Sequence, residues 1–404
     1  MNKKQHTIPY FKTQDNELLI GKKTATELYQ QFQRPFYAYD KHIIKKSVQH
    51  LQHVLPARID LHYAIKANPL PELVEYMAEL VSGMDLASSH EMEVALKAGV
   101  PAAELSFAGP AKENRELEKA IKAGVTLNLE SVGELKRVIE ISKQLKIQAK
   151  CAVRVNPDFE LKASGMKMSG GSKPFGIDAE QVPDVIKEVK KQGVHFRGLH
   201  IFSGSQNLRA ESLIETHQQV IKLALEIAEQ AQTSLDWLNI GGGLGVPYFA
   251  GEQRLELEGI CANLTEVIQQ VPSETQIVME LGRYLVAEAG VYICKIIDRK
   301  VSRGQTYLVT NGGLHHHLAA SGNFGQIIRK DYPLAVANKI NQTACENVAV
   351  VGPLCTPLDI LASKADLPKA QENDLIAVFQ SGAYGFTASP HLFLSHPKPY
   401  EVLL

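Results

Sequence analysis

The 404 residues carry 43 Lys and Arg against 44 Asp and Glu, with 45% hydrophobic and 22% charged residues. A formal net charge of −1 gives no electrostatic case for nucleic acid or an anionic membrane as partner, and no apolar run approaches a membrane span. The five cysteines lack a C-x-x-C pair, and the opening Met1-Asn2-Lys3-Lys4-Gln5-His6 has no apolar core behind it, so free thiols in a cytoplasmic protein are expected rather than a disulfide or zinc framework.

In chain order, the first 30 or so residues fit no βα unit. From about residue 36 to 280, short apolar strands alternate with amphipathic helices. The strands are predicted at Phe36–Tyr39, Asp60–Ile65, Gly83–Ala87, Leu105–Ala108, Thr126–Leu129, Ala152–Val155, Gly198–Phe202, Leu235–Ile240 and Gln276–Glu280. Helical spacing marks Leu73–Leu80, His90–Ala98, Glu113–Ala123, Val132–Leu145 and Ile214–Gln230. So many successive βα units predict an α/β fold closed into a (β/α)8 TIM-type barrel over 36–280. Residues 281–404, joined by 1–35, read as an antiparallel β-domain. The Gly/Ser-rich segment Ser164–Pro174 reads as a mobile loop and a candidate lid.

In a parallel barrel the chemistry gathers at the C-terminal strand ends, and the unusual polar residues fall there. Ile59–Ile65 delivers Lys66 to a strand end, where burial favours a neutral, nucleophilic amine able to form a Schiff base with an aldehyde; a lysine reaching to water is the plain alternative. Asp85 closes a second strand, and His200-Ile201-Phe202-Ser203-Gly204-Ser205 a third. Gly241-Gly242-Gly243 follows a strand directly, where backbone N–H groups can meet a phosphate; the run matches neither G-x-G-x-x-G nor a P-loop. Glu280-Leu281-Gly282-Arg283 offers a carboxylate for a ring nitrogen and a guanidinium for a phosphate, or a local ion pair.

Tyr63-Ala64-Ile65-Lys66-Ala67-Asn68, Asp85-Leu86-Ala87-Ser88, Phe107-Ala108-Gly109-Pro110-Ala111-Lys112, Gly241-Gly242-Gly243, Glu280-Leu281-Gly282-Arg283-Tyr284, Gly352-Pro353-Leu354-Cys355 and Gly382-Ala383-Tyr384-Gly385 follow one another through nearly the whole chain. In that order they resemble the fold-type III pyridoxal 5′-phosphate decarboxylases, the group of diaminopimelate and ornithine decarboxylases with an alanine-racemase-like barrel. The resemblance implies Lys66 as Schiff-base lysine and Glu280 at the pyridine nitrogen. It implies Gly241, Gly242, Gly243, Gly282, Arg283, Ser205 and Tyr384 around the phosphate, and Asp85 beneath the ring. It implies Cys355 as a proton donor, and a homodimer in which Cys355 and Tyr384 reach the partner's barrel.

Three departures bear on substrate. Phe202 stands where the family stacks a histidine on the ring, with His200 two residues before it. Thr356 follows Cys355 where diaminopimelate and ornithine decarboxylases carry an acid for the distal amine. Asn311-Gly312-Gly313-Leu314-His315-His316-His317 replaces a more familiar segment; adjacent side chains alternate faces, so a loop lining the active site is expected rather than a metal site. These features resemble a branch that includes a carrier-protein-linked glutamate decarboxylase and exosortase-associated decarboxylases. They imply an amino-acid substrate that is free or tethered to an acyl-carrier protein, with Arg329 as candidate partner of an acidic group and the lysines of 162–173 as candidates for a carrier's phosphate. The alternatives are diaminopimelate decarboxylation, then a racemase or a non-catalytic pyridoxal phosphate protein.

Overall fold

The computed structural model describes residues 10–159, 166–326 and 328–404. The chain divides into two compact units: one takes in Val48–Val246 and Gln253–Tyr284, the other Met1–Ser47, Pro247–Glu252 and Leu285–Leu404.

The first unit is the barrel. Its strands are β1 (Ile59–Ala64), β2 (Gly83–Leu86), β3 (Leu105–Phe107), β4 (Thr126–Leu129), β5 (Lys150–Asn156), β6 (His195–His200), β7 (Trp237–Asn239) and β8 (Gln276–Leu281). Each pairs in parallel with the next, and β8 returns to β1 with Ile277 opposite Ile59, which closes the ring. Burial on both faces explains why these strands read as continuous apolar runs: β2, β3, β4 and β7 are buried at every residue. Helices Pro71–Ala78, Ser89–Lys97, Asn114–Ala123, Val132–Leu145, Val182–Lys191, Ala210–Gln230 and Glu258–Val267 connect successive strands. Local chemistry sets their starts. Ser88 and Ser131 accept the N–H groups of Glu91 and Glu134 as N-caps, each worth about 1 kcal/mol.

The second unit is a mostly antiparallel sheet in the order Leu334–Val336, Leu375–Val378, Gly290–Ser302, Gln305–Thr310, Glu346–Val351, Ile360–Leu367. Among the described residues two of its pairings are parallel: Gln305–Thr310 with Glu346–Val351, and Phe36–Tyr39 with Tyr400–Leu403. Phe36–Tyr39 heads the βα series in the sequence, yet here it belongs to this sheet, antiparallel to Gly290–Ile293. Its four residues are fully buried, a pattern that either sheet could use. Residues 10–32 supply a hairpin, Lys12–Gln14 with Glu17–Ile20, turned through Asp15 and Asn16 at positive φ, and a helix, Ala25–Phe32. Leu18, Ile20 and Leu28 pack with Phe36, Val291, Ile293 and Phe379 as this unit's core. Part of the Gly/Ser-rich segment, and Lys162 before it, lie outside the described residues. The backbone of Met166–Lys167 pairs antiparallel with Gly204–Ser205, and Met168 donates to the Ser203 carbonyl, so this part is tied to the end of β6.

Candidate active site

Lys66 sits in the 3-10 turn Ile65–Ala67, one step beyond β1. Its side chain is 42% exposed, so the burial expected for it is absent: the turn lifts it from the barrel interior to the open mouth. Its Nζ lies 3.7 Å from Glu280 Oε1 and 5.1 Å from the centre of the Phe202 ring. Glu280, near the end of β8, is buried. Its other oxygen, Oε2, has His200 Nε2 at 3.0 Å and receives the Asn239 amide at 3.2 Å. Burial alone would push the Glu280 carboxyl up. Lys66 and His200, with Arg154 behind them, outweigh it and hold the group well below the usual carboxylate range.

Asp85, near the end of β2, anchors a polar cluster. It accepts from the Ser106 hydroxyl and from Asn239 Nδ2 at 3.3 Å, and His62 Nδ1 lies 3.4 Å from its other oxygen. Asn128 donates to Ser106 at 3.1 Å, which extends the cluster across β4. Nearby, Glu130 bridges the Arg154 guanidinium at 2.8 Å to the backbone N–H groups of Gly109 and Gly176. Burial opposes its charge, but Arg154 and the Gly109 N–H prevail and lower its pKa.

The glycine run forms a cradle whose shape excludes larger residues. Gly241 has φ +70°, and a Cβ on Gly242 would stand 2.1 Å from the Glu280 carbonyl oxygen. Gln206 and Asn207 staple this loop to the Ser205 loop: the Gln206 amide bonds Val246 in both directions, and Asn207 exchanges backbone bonds with Gly243 and Gly245. Gly282 and Arg283 follow directly from β8, so cradle, Ser205, Lys66, Asp85, His200, Phe202 and Glu280 all lie at the same end of one barrel. His200 and Phe202 rings are 6.5 Å apart and inclined at 53°.

The remaining sequence candidates lie in the β-domain. Cys355 is exposed, Thr356 follows it, and Tyr384 has φ +57°. Arg329 turns its guanidinium onto the Ile360 carbonyl and Asp331, so it is engaged within its own unit. Asp359 is buried with both oxygens taken by backbone N–H groups, Oδ1 by Leu314 and Oδ2 by Leu354 at 2.8 Å. The triple histidine points inward. His315, His316 and His317 are buried; His316 meets the Tyr292 hydroxyl at 2.9 Å and the Pro397 carbonyl at 2.8 Å, and His317 meets Ser381 Oγ at 2.9 Å. Among the described residues no group of three or more His, Cys, Asp or Glu is disposed to hold a metal ion, and no helix is long and apolar enough to cross a membrane. Asn239, Ser106, Asn128, His62 and Arg154 went unread in the sequence. The signal for them was a polar side chain inside an apolar strand, as in Leu127-Asn128-Leu129 and Val153-Arg154-Val155.

Comparison with known proteins agrees with this geometry. Residues 41–287 match the family model of the pyridoxal-dependent decarboxylase, pyridoxal binding domain. The chain is 35% identical to the L-glutamyl-[BtrI acyl-carrier protein] decarboxylase of Niallia circulans, over 94% of this chain and 90% of that protein. It is 30% identical to the diaminopimelate decarboxylase of Aquifex aeolicus, over 98% and 92%. The crystal structure of Helicobacter pylori diaminopimelate decarboxylase complexed with L-lysine superimposes with a TM-score of 0.84 at 29% identity, covering 94% of this chain and 93% of that one. The chain therefore belongs to the fold-type III pyridoxal phosphate-dependent decarboxylases, carboxy-lyases built on an alanine-racemase-like barrel with a C-terminal β-domain.

Proposed function

We propose that this enzyme removes the α-carboxylate of an amino acid whose far end is acidic, neutral or carried as a thioester on an acyl-carrier protein. The observation that carries this reading is the occupied state of Asp359. Thr356 leaves no acid directly after Cys355, and the carboxylate three residues on is buried and turned onto the Leu314 and Leu354 N–H groups. A distal ammonium held beside Thr356 would find no carboxylate at that position, and desolvating it there without a partner would be unfavourable. The 35% identity to a decarboxylase named for a glutamyl carrier protein supports the same reading. The second reading, diaminopimelate decarboxylation, draws on relatives such as the Aquifex aeolicus enzyme.

The residues present fit pyridoxal phosphate: a lysine and a carboxylate 3.7 Å apart beside a glycine turn that tolerates no side chain. Lys66 would hold the cofactor's carbonyl carbon, and Glu280 its ring nitrogen. Phe202 or His200 would cover the ring, and Asp85 would lie near Lys66 beneath it. Gly241, Gly242, Gly243, Gly282, Arg283 and Ser205 would surround the phosphate, joined by Tyr384. When bound, the cofactor supplies the electron sink that lets CO2 depart. Glu280, held ionised by its surroundings, would favour a proton on the ring nitrogen. Lys66, whose Nζ stands 3.7 Å from Glu280 Oε1, would be the amine that holds the group between turnovers. Cys355 returns a proton to the carbon that lost the carboxylate. Cys355 and Tyr384 are assigned to the barrel of a second copy, which makes the working form a homodimer with two shared sites.

The test is a substrate panel of free α-amino acids and carrier-protein thioesters, read by mass spectrometry for loss of CO2. Turnover of an acidic or carrier-linked substrate well above that of ornithine, lysine or diaminopimelate is expected. Efficient turnover of free diaminopimelate would replace this reading by the second.

A further inference from the structure

Asn239 ends β7 and is fully buried. A primary amide has donors at one end and an acceptor at the other, and leaving either unmet in the interior is costly. Its orientation is therefore fixed by its surroundings. The side-chain oxygen accepts the Gly241 N–H at 2.8 Å, so the nitrogen faces away from the cradle. There it meets two carboxylates, Asp85 Oδ1 at 3.3 Å and Glu280 Oε2 at 3.2 Å. With His200 also beside Oε2, the oxygen of Glu280 nearer Lys66 is Oε1.

We propose that Asn239 is a positioning residue that sets the spacing between the two ends of the cofactor site, locking Glu280 to the first glycine of the phosphate cradle. This rests on the assignment of Glu280 and the cradle given above. One neutral side chain grips both, so neither the ring-nitrogen partner nor the phosphate loop can shift without breaking a buried hydrogen bond. The amide also separates Asp85 from Glu280 with a shared donor. A carboxylate in its place could still accept from Gly241 but would bring a third negative group against two others. Lys66, His200 and His62 face these carboxyl groups, but an added negative charge in this buried cluster still shifts it toward taking up a proton. Once protonated, the carboxyl introduced by Asn239→Asp has one O–H donor and one carbonyl acceptor, so it can keep the Gly241 bond and donate to one of the two carboxylates, where the amide donates to both. The Asn239→Asp substitution consequently has a pH dependence of its own, whereas Asn239→Leu, similar in size and without polar atoms, has none.

The experiment compares wild type, Asn239→Asp and Asn239→Leu. Pyridoxal phosphate is titrated into cofactor-stripped full-length protein from pH 5.5 to 8.5, following the near-visible band, with circular dichroism as the check on folding. Asn239→Asp is expected to bind about tenfold or more weakly than wild type at pH 8.5, the scale of one buried polar contact, and to recover toward wild type at pH 5.5. Asn239→Leu is expected to lose at least as much at every pH and to show a displaced band. If Asn239→Leu fails to fold, the pH-dependent recovery of Asn239→Asp decides alone. An Asn239→Asp deficit that does not change with pH, or variants with wild-type affinity and band, overturn the positioning role while leaving the site assignment intact. A wild-type protein that takes up no pyridoxal phosphate overturns both.

Discussion

At the level of single residues, electrostatic setting decides what each group can do. Glu280 is buried yet held ionised by Lys66 and His200. A carboxyl whose folded pKa lies below its unfolded value keeps its contribution above the unfolded value and loses it only as pH falls through the folded one. Glu280 therefore stays charged throughout the working range and adds no limb to a pH–rate profile. Glu280→Gln is expected to retain cofactor but to slow turnover about a hundredfold or more, about 3 kcal/mol in barrier, with the profile lowered and unshifted. Single-turnover rates across pH check this; a near-wild-type rate would separate Glu280 from the ring nitrogen. Lys66 and Glu280 stand out in the sequence because one follows and the other closes an apolar run, where barrel chemistry collects. Asn239 was hidden because Asn239-Ile240-Gly241 reads as the entry to a glycine turn. Its two carboxylate partners come from β2 and β8, far away in sequence, and only closure of the ring brings them together.

Among the elements, the turn that carries three histidines behaves unlike a surface loop. It is anchored by Asp359 through the Leu314 N–H, and its rings face the interior. Burial pushes His315 down to about 4, and His316 and His317 to about 3. The unfolded chain, with histidines near 6.5, binds more protons than the folded one between that value and the folded pKa values. Stability is therefore complete above about pH 6.5 and falls on acidification toward pH 4, each group adding up to about 1.4 kcal/mol per pH unit. Urea denaturation between pH 7.5 and 5 should show the slope, and His317→Phe, which keeps a ring but no proton site, should make it shallower by one histidine's share. An unchanged slope in that variant would mean His317 is not held neutral by the fold. Nothing in the residue pattern hinted at this inward turn, since alternation along a strand, the argument applied to the run, does not govern a turn in which His316 and His317 both donate back to the Gly313 carbonyl. The barrel strands, by contrast, were readable because double-sided burial leaves little but apolar residues. The strand at Phe36–Tyr39 was readable as a strand but not as to its sheet, for the same reason.

For the whole molecule, the shared-site proposal makes a quantitative claim. A Lys66→Ala subunit and a Cys355→Ala subunit are each inactive alone. Mixed equally and allowed to exchange, half of the dimers are hybrids, and each hybrid holds one site with both residues intact, so about a quarter of wild-type activity should return. Hybrids that form, seen by differential tagging, and remain inactive would rule out sites shared in this way. A different consequence follows from the place of Phe36–Tyr39. Tyr39 pairs with Gly290, roughly 250 positions on, and the barrel unit makes up most of the chain between them. Joining such distant strands through a flexible loop costs on the order of 5 kcal/mol in lost chain freedom. A barrel that folds first removes most of that freedom beforehand. Order of events is thus written into connectivity: during refolding, amides of β1 to β8 should resist pulsed hydrogen exchange before those of Gly290–Ile293, and any lesion that delays the barrel should delay the β-domain with it.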